Sequence, residues 1–466
     1  MFTIELTLLS VSNDNNLVVL RWYTGSNDLS KSSPFYKLRL MNRSNLSKRL
    51  TEFRGHFFSL YCIIAAFGTY FCMYAFRKPF TAATYEDSEW FGVGLKTLLI
   101  ASQVAGYTLS KFFGIKFVSE IKKHHRGIAI VILVLSAELA LLLFAVTPAP
   151  WNCIWLFFNG LPLGMVFGLV LGFLEGRRVS EVLAAGLCAS FIVSSGFVKT
   201  VGRALLQNEF VTESWMPFFT GLLFLLPLLL FVGMLSRIPE PNDRDVLSRS
   251  ARDPMDKETR FKFFRGHAVG LSSLILIYML ITVVRSLRDD FAVEIWTDLG
   301  VEDEPALFAI SEFWVMFGVI FINGCFSLIS NNRAAFLSSI GTIIVGGVII
   351  LSAVYGHYVD FFSPMTLIIL LGVGMYLPYV AFHTTMFERM IAVCKETGNV
   401  GYLMYLADAV GYLGYVAVLI FRNLYSGQLG YLSLLMISAS VVAIVSSVVT
   451  VWLLFHFYAR TTHSSS

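Results

Sequence analysis

The chain has 466 residues, of which 56% are hydrophobic and only 14% are charged. Soluble domains average about 45–50% apolar and about 25% charged residues, so this composition excludes an ordinary soluble protein. Six cysteines in a chain of this length exclude a small disulfide scaffold, and 15% aromatic residues exclude disorder. A net charge of +4 gives no sign of nucleic-acid binding. What remains is an integral membrane protein that crosses the bilayer many times.

The first 56 residues form a polar segment that differs from the rest of the chain. A short apolar patch, Ile4–Leu9, has no basic residues before it, so it is a poor candidate for a secretory signal. We interpret residues 1–56 as a loose extension on the cytoplasmic side.

Twelve long apolar runs follow, and each is long enough to cross a bilayer as a helix, which takes about 20 residues. Because the runs are apolar on every face, helices rather than barrel strands are the structure that satisfies their backbone. The predicted spans are 57–82, 94–118, 127–147, 151–174, 182–204, 215–236, 266–288, 305–329, 334–356, 364–387, 398–422 and 430–457.

A charged stretch separates the sixth span from the seventh. Residues 237–265 contain Pro239, Pro241 and charges of both signs, and we interpret them as a cytoplasmic linker. The predicted fold is therefore all-α and integral to the membrane. It has one six-helix bundle at 57–236, a second at 266–457, and a short cytoplasmic tail at 458–466.

Lysine and arginine predict the orientation, because cytoplasmic loops carry an excess of basic residues. Eight basic residues precede the first span and eight lie in the linker, whereas the loops on the opposite side carry only Arg203 and Arg422. Both termini and the linker are therefore predicted to be cytoplasmic. The chain is expected to be a multi-pass protein of the cell membrane, which is the inner membrane if the source is bacterial.

Two arginines, Arg77 and Arg285, lie deep in counterpart spans of the two bundles, the first and the seventh. A charge at the bilayer centre costs about 2.5–3.5 kcal/mol even on the gentlest scale. A guanidinium fork is the favoured partner of a planar carboxylate or a phosphate. The two arginines therefore predict an anion site shared by both bundles. The alternative is that each side chain extends to the outer interface.

Other basic residues within the spans have simpler interpretations. Lys111 lies well inside the second span, where it either lines the same cavity and assists anion binding or reaches the cytoplasmic headgroups. We expect Lys78, Lys199 and Arg288 to extend to the outer interface.

Two carboxylates inside spans are candidates for proton coupling. Asp408 is near the middle of the eleventh span, and Glu312 is in the outer third of the eighth. Because a buried carboxylate is either paired with a cation or protonated, each residue is a proton-coupling site or a salt-bridge partner. Asp289 and Asp290 are predicted to form an outer gate or to meet water, and His383 to be a packing residue or a titrating group.

The fourth and tenth spans end with similar charged residues, and these spans are counterparts in the two bundles. The residues are Glu175, Arg177, Glu388 and Arg389. Ion pairs between the two ends would lock the cytoplasmic side as a gate, and ordinary basic flanks are the alternative.

Glycine recurs every four residues in the fourth span, at Gly160, Gly164, Gly168 and Gly172. This spacing produces one smooth helix face, which predicts close packing against a neighbouring helix.

The whole topology resembles the major facilitator superfamily. The resemblance consists of six plus six helices, a charged central loop, cytoplasmic termini and Ile238–Pro239–Glu240–Pro241 after the sixth span. It implies twelve transmembrane helices in two six-helix repeats, a substrate site near the midplane between them, and transport by alternating access.

Short motifs are similar to the organophosphate:phosphate antiporter group. They are Tyr74–Ala75–Phe76–Arg77–Lys78, Tyr107 with Ser110–Lys111–Phe112, and Arg285 followed by Asp290. The resemblance implies that Arg77 and Arg285 bind phosphate and that Lys111 supports them. The segments 77–80 and 174–178 also resemble a bacterial family of unknown function with this topology.

The leading hypothesis is a secondary transporter of a small organic anion, a phosphate ester or a carboxylate, driven by exchange or proton coupling. Asp408 is the first candidate proton site. The expected partners are the anion and the lipid bilayer, with no nucleic acid, no cofactor, no metal and a monomeric protein. An enzyme is not expected, because no catalytic cluster, P-loop or zinc motif is evident. A non-transporting membrane sensor or scaffold that keeps the transporter fold is the alternative function.

Overall fold

The computed structural model describes residues 43–85, 89–90, 92–174, 180–239, 257–301, 304–327, 329, 331–394, 400–425 and 430–463. In the first half, the helices are α1 (Arg43–Tyr74), α2 (Leu95–Glu120), α3 (Lys123–Val146), α4 (Cys153–Leu174), α5 (Ser180–Gln207) and α6 (Met216–Ser236). A 3₁₀ turn at Pro79–Ala82 and a two-stranded antiparallel hairpin, β1 (Glu89–Trp90) and β2 (Val93–Gly94), connect α1 to α2.

The second half begins after a short helix of the linker, α7 (Lys257–Gly266). Its helices are α8 (Ala268–Asp290), α9 (Ala292–Asp298), α10 (Ala306–Ser327), α11 (Asn332–Tyr358), α12 (Pro364–Ala381), α13 (Phe387–Cys394), α14 (Val400–Tyr425) and α15 (Tyr431–His463). A π turn at Phe382–Met386 joins α12 to α13. The tenth span is thereby longer than predicted and runs without a break over Pro364–Cys394.

Eleven helices of the described chain are long and apolar enough to cross a membrane. The sequence predicts twelve, and α2 occupies the remaining place. This helix has 26 residues, which is enough for a crossing, but it carries Lys96, Gln103 and Lys111, all of them buried. The polar side chains lower the hydropathy of α2 and are covered by protein rather than lipid. The fold is thus all-α, with twelve transmembrane helices in two halves.

The first helix ends earlier than the predicted span 57–82, because α1 stops at Tyr74. Pro79 is the cause: it has no N–H to donate to the carbonyl group four residues earlier, and its ring would clash with that carbonyl in a continuous helix. Arg77 and Lys78 therefore lie in a turn between α1 and the 3₁₀ turn rather than on a helix. The turn lets their side chains point away from the lipid.

The two halves meet along two pairs of helices, α2 with α14 and α5 with α10. Within the halves, α2 and α3 pack on α4, and α12 and α15 pack on α11. We call the end at which α6 finishes and α8 starts the linker end, and the opposite end the far end.

The glycine repeat of α4 is confirmed as a packing face. A Cβ atom on Gly160 would lie 2.2 Å from the carbonyl oxygen of Gln103, and one on Gly164 would lie 1.7 Å from Ser110 Oγ. The backbones of α2 and α4 are therefore in direct contact, which fixes the polar face of α2 relative to the first half.

Candidate substrate site

Buried polar side chains form a column along the interface between the two halves. On α8, Tyr278 lies nearest the linker end, followed by Arg285 and then Asp289. On α14, Asp408 and Tyr412 follow the same order, four residues apart and so on one helix face. The column has three levels: a linker-end layer, a central level with two arginines, and a far-end layer.

Arg77 contributes to the central level from the turn after α1. The turn is held by amide side chains: Gln103 Nε2 donates to Arg77 O at 2.7 Å, and Asn159 Nδ2 donates to Phe76 O at 2.9 Å. The guanidinium carbon of Arg77 lies 3.8 Å from the centre of the Tyr107 ring, so the ring face stabilises the cation. The residue is only 4% exposed.

Arg285 contributes to the central level from the middle of α8. Its guanidinium carbon lies 4.4 Å from the centre of the Tyr379 ring and 5.6 Å from that of Tyr376. Its guanidinium donates one long hydrogen bond, 3.4 Å, to Ser286 Oγ. Like Arg77, it is 4% exposed.

In the part of the chain that the structure describes, these two arginines differ from every other buried cation. Neither guanidinium forms an ion pair with a described carboxylate, and the Nε atom of each, like that of Arg288, is buried without a hydrogen-bond partner. Each of the remaining five buried cations has a carboxylate within 3 Å. They are Lys78, Lys96, Lys111, Lys199 and Arg288.

Arg77 and Arg285 line the same small cavity, together with Tyr74, Val104 and Tyr412. Its volume is about 10 Å³, roughly the space that one water molecule requires. The two halves are therefore closed around the arginines in this conformation.

The far-end layer is a set of ion pairs between the halves. Lys78 Nζ lies 2.9 Å from Asp289 Oδ2 and also contacts Asp290. Lys199 Nζ lies 2.5 Å from Asp289 Oδ1, and Tyr415 donates to Asp290 at 2.9 Å. The lysines belong to the first half and the aspartates to the second, so the layer closes the far end. Nearby, Lys96 of α2 pairs with Glu294 of α9 at 2.6 Å.

These contacts correct the expectation that Lys78, Lys199 and Arg288 reach the outer interface. The three residues are 6%, 2% and 3% exposed, because carboxylates inside the protein attract them more strongly than headgroup water. Arg288 Nη1 pairs with Glu312 at 2.6 Å, and Arg288 Nη2 donates to the carbonyl of Ile368 at 3.1 Å. Arg288 and both of its partners, Glu312 and Ile368, belong to the second half.

The linker-end layer joins the halves through Lys111 and Asp408, whose Nζ and Oδ2 atoms lie 2.9 Å apart. Tyr278 donates a hydrogen bond to the same carboxylate, and His383 Nε2 lies 3.8 Å from it. In this conformation the charge of Lys111 is neutralised by Asp408 rather than directed at the cavity. The ring of Tyr107 nevertheless lies 4.9 Å from Lys111 Nζ and also faces Arg77.

The predicted cytoplasmic gate is described only in part. Glu175 and Arg177 lie outside the described residues. Glu388 and Arg389 lie at the start of α13, where Arg389 Nη1 donates to the side chain of Asn332 on α11. The gate between the fourth and tenth spans stays a prediction.

Sequence patterns do not predict several residues that line or support the site. They are Gln103, Asn159, Tyr376, Tyr379 and Tyr412. The four-residue spacing of Asp408 and Tyr412 on α14 was a usable signal, because it places a tyrosine directly above a buried acid. No cluster of His, Cys, Asp and Glu suited to a metal ion is present among the described residues.

Comparisons with known proteins agree with the predicted architecture. The sequence matches the "Family of unknown function (DUF5690)" over residues 79–460, and no curated protein matches it. The crystal structure of D-xylose-proton symporter is similar with a TM-score of 0.54 and 12% identity, covering 83% of this chain and 96% of that one. At this identity the likeness shows the fold alone, which confirms the major facilitator type. Neither match points to the organophosphate:phosphate antiporter group.

Proposed function

The chain belongs to the DUF5690 family and has the fold of a major facilitator transporter, and from this premise we propose that it carries a small organic anion across the membrane. The anion is a phosphate ester or a carboxylate. The two halves move it by alternating access, which is the mode of transport of such repeat architectures. Exchange or proton coupling supplies the energy.

One observation supports an anionic substrate: within the described ranges of the chain, Arg77 and Arg285 are buried cations with no carboxylate partner. A buried charge is costly unless it is paired, and the tyrosine rings around these arginines compensate only a part of that cost. One arginine comes from each half, and the cavity lies between them. An anion that accepts hydrogen bonds from both guanidinium groups would neutralise the two arginines and hold the halves together.

The balance of charges favours a doubly charged anion. Seven buried cations face the interface or lie beside it, and five of them are paired with five carboxylates, which are Asp289, Asp290, Glu294, Glu312 and Asp408. Two positive charges remain. A phosphate monoester carries about −1.5 to −2 charges at neutral pH, which matches them, whereas a monocarboxylate would leave one arginine unbalanced.

The two outer levels of the column provide the barriers that alternating access requires. Lys78 and Lys199 bind Asp289 and Asp290 across the far end, and Lys111 binds Asp408 across the linker end. If the halves rock about the arginines, one barrier breaks while the other stays closed. The small volume of the central cavity fits a carrier that is closed at both ends.

The distribution of basic residues orients the molecule, with the linker end and both termini in the cytoplasm. The linker-end layer then lies on the cytoplasmic side of the arginines, and the far-end layer lies on the outer side. We expect the chain to work as a monomer in the cell membrane. Ion pairs among Glu175, Arg177, Glu388 and Arg389 would add a second lock on the cytoplasmic side.

The test is uptake by purified protein in liposomes, with radiolabelled inorganic phosphate, a phosphate monoester, a dicarboxylate and a neutral sugar as candidate substrates. We expect uptake of a divalent anion by the wild type and its loss in Arg77→Gln and Arg285→Gln. Arg422→Gln is the matched control. Arg422 stacks on Tyr431 outside the column, so this substitution should leave uptake intact.

Uptake of the sugar alone, or unchanged anion uptake in both variants, would contradict the proposal. A folded protein that moves none of these compounds would favour a sensor or scaffold.

A further inference from the structure

Resting on the proposed function, we infer that Asp408 binds the coupling proton, that its protonation frees Lys111 to join the two arginines, and that the anion and proton therefore travel together. The chain is then an anion–proton symporter rather than an exchanger. Four observations lead to this assignment: the position of each buried acid, the acceptor available to Asp408, the ring shared by Lys111 and Arg77, and the charge released when the pair breaks.

A coupling proton must bind where access changes between the two sides of the membrane, which excludes two of the buried acids. Glu312 pairs with Arg288 inside the second half, so a rigid movement of that half leaves the pair intact. Glu138 lies on α3 against Gly221 of α6, away from the interface between the halves. The Lys111–Asp408 pair, in contrast, joins α2 of one half to α14 of the other, so separation of the halves must break it.

The surroundings of Asp408 suit the protonated acid as well as the carboxylate. His383 Nδ1 lies 2.9 Å from the carbonyl oxygen of Tyr379, and this contact requires the ring proton on Nδ1. His383 Nε2 then carries a lone pair, 3.4 Å from the Tyr278 hydroxyl and 3.8 Å from Asp408 Oδ1. Because Tyr278 donates its single proton to Asp408, this lone pair remains able to accept a proton from the acid. A proton on Asp408 can be donated to this nitrogen with a small movement of either side chain. At the far end, all the groups that contact Asp289 and Asp290 donate to them in this conformation, and two of these groups are ammonium cations that favour the ionised acids: the groups are Lys78, Lys199, Ser195 and Tyr415.

The π turn places His383 at this point. The turn at Phe382–Met386 interrupts the regular helix between α12 and α13, and such single turns occur often at functional sites. It brings the imidazole between the ring of Tyr278, 5.7 Å away, and that of Phe191, also 5.7 Å away. His383 is therefore held by aromatic contacts from α8 and α5 and by its own helix.

Protonation of Asp408 couples proton binding to anion binding, because it releases Lys111 from its ion pair. When Asp408 is neutral, the ammonium group of Lys111 loses its counter-ion and becomes a third unpaired cation in the column. It faces the same Tyr107 ring as Arg77, at 4.9 Å against 3.8 Å. The added positive charge strengthens anion binding, and by reciprocity the bound anion strengthens proton binding. The proton comes from water on the open side and returns to water on the other side when Lys111 binds Asp408 again.

Several further titratable groups interact electrostatically with the carboxylate of Asp408, and each could contribute to the pH dependence of transport. Beyond Lys111, Tyr278 and His383, they are Cys188 on α5, Tyr379 on α12 and Tyr412 on α14. None of these six groups other than His383 ordinarily titrates between about pH 5 and 8. Asp408 and His383 are thus the groups whose protonation decides the outcome.

The test is liposome uptake of radiolabelled inorganic phosphate and of a dicarboxylate, succinate, at one fixed outer pH while the inner pH is varied. The charge of the external anion is then constant. In the wild type, an alkaline interior should accelerate uptake, and acidifying the outer medium should tighten anion binding by about 5- to 150-fold if the coupling has the usual strength. In Asp408→Asn, uptake should lose its response to the inner pH. The double variant K111Q/D408N, which preserves the local charge balance but lacks the third cation, should bind the anion more weakly and should likewise show no response to the inner pH. Glu138→Gln is the control and should behave as the wild type.

A second measurement detects protonation of Asp408 directly, in the absence of any transported anion. Infrared difference spectra between acidic and neutral pH should show a carboxylic acid band in the wild type that is absent in Asp408→Asn, and its absence from the wild type would overturn the inference. Anion uptake that is indifferent to inner pH in the wild type would overturn the inference alone. No anion uptake at all in the wild type would overturn the proposed function as well.

Discussion

Arg77 and Arg288 have the same charge and nearly the same burial, 4% and 3% exposed, but opposite surroundings. Arg288 is bound to Glu312 and to a backbone carbonyl, whereas the guanidinium of Arg77 faces tyrosine rings and pairs with no carboxylate among the residues that the structure describes. A residue that is kept in an unfavourable place without stabilising the fold is characteristic of a functional site.

This contrast predicts opposite effects on stability. Arg288→Gln should lower the free energy of unfolding by about 3–5 kcal/mol, because Glu312 is left buried without a cation. Arg77→Gln should leave stability unchanged or raise it, because the replaced charge has no partner to lose. The measurement is the apparent melting temperature of each purified variant in detergent without added anions. Equal destabilisation by both substitutions would mean that Arg77 is structural.

The sequence predicts the depth of the two arginines, because hydropathy alone places them inside spans. It does not predict the partners of Lys78. Asp290 is 212 residues away along the chain, and only the packing of the two halves brings it close. Asp408 is an intermediate case: the sequence limits it to a proton site or a salt bridge, and its ion pair with Lys111 depends on how α2 meets α14.

At the level of helices, the contact between α2 and α4 determines the position of the site. Gly160 leaves no room for a side chain, since its Cβ would lie 2.2 Å from Gln103 O. Gln103 also donates a hydrogen bond to the backbone of Arg77 and so stabilises the turn after α1. The position of Arg77 therefore depends on the close packing of α2 against α4.

Gly160→Ala should accordingly lower stability by about 1–3 kcal/mol, the usual cost of inserting a methyl group into a packed contact, and should also weaken anion binding. Gly341→Ala is the matched control, because a Cβ at Gly341 of α11 would meet nothing within 4 Å. Thermal unfolding with and without a bound anion separates the two effects. If both alanine variants behave alike, the contact between α2 and α4 does not position Arg77.

The glycine spacing and the apolar runs could be read from the sequence, because both depend on local composition. The end of α1 at Tyr74 and the π turn of the tenth span were missed for different reasons. Pro79 gave a local signal for the first. Nothing in residues 382–386 distinguishes a π turn from a regular helix, since its stability comes from neighbouring helices.

At the largest scale, two layers of ion pairs join the halves within the described part of residues 56–463, and both place lysine on the first half and aspartate on the second. Asp289 is the most connected residue of the far end, with contacts to Lys78, Lys199 and Ser195. Its loss should open that end without altering the central arginines.

We therefore expect Asp289→Asn to shift the carrier toward a state that is open at the far end. In a background without the six native cysteines, a cysteine at Ser286, which lines the central cavity, should react faster with a membrane-impermeant thiol reagent. Asp298→Asn serves as the control, since Asp298 accepts from Leu432 N at the protein surface. Unchanged labelling in Asp289→Asn would show that this layer is no barrier.

At this scale the sequence predicts the architecture of two six-helix halves, and the comparison with a solved transporter confirms it. It does not predict which conformation the two halves adopt, because open and closed arrangements would share the same helices. Closure depends on a few ion pairs between residues far apart in the sequence.

The central claim is that one anion is held by Arg77 and Arg285 together, and a double-mutant cycle tests it most directly. Thermal stabilisation by a divalent anion would be titrated for the wild type, Arg77→Gln, Arg285→Gln, the double variant and Arg422→Gln. A ligand at about 100 times its dissociation constant adds about 2.7 kcal/mol of stability. We predict this gain for the wild type and Arg422→Gln, its loss in each single variant, and little further loss in the double variant. Anion stabilisation that survives in both single variants would contradict the account.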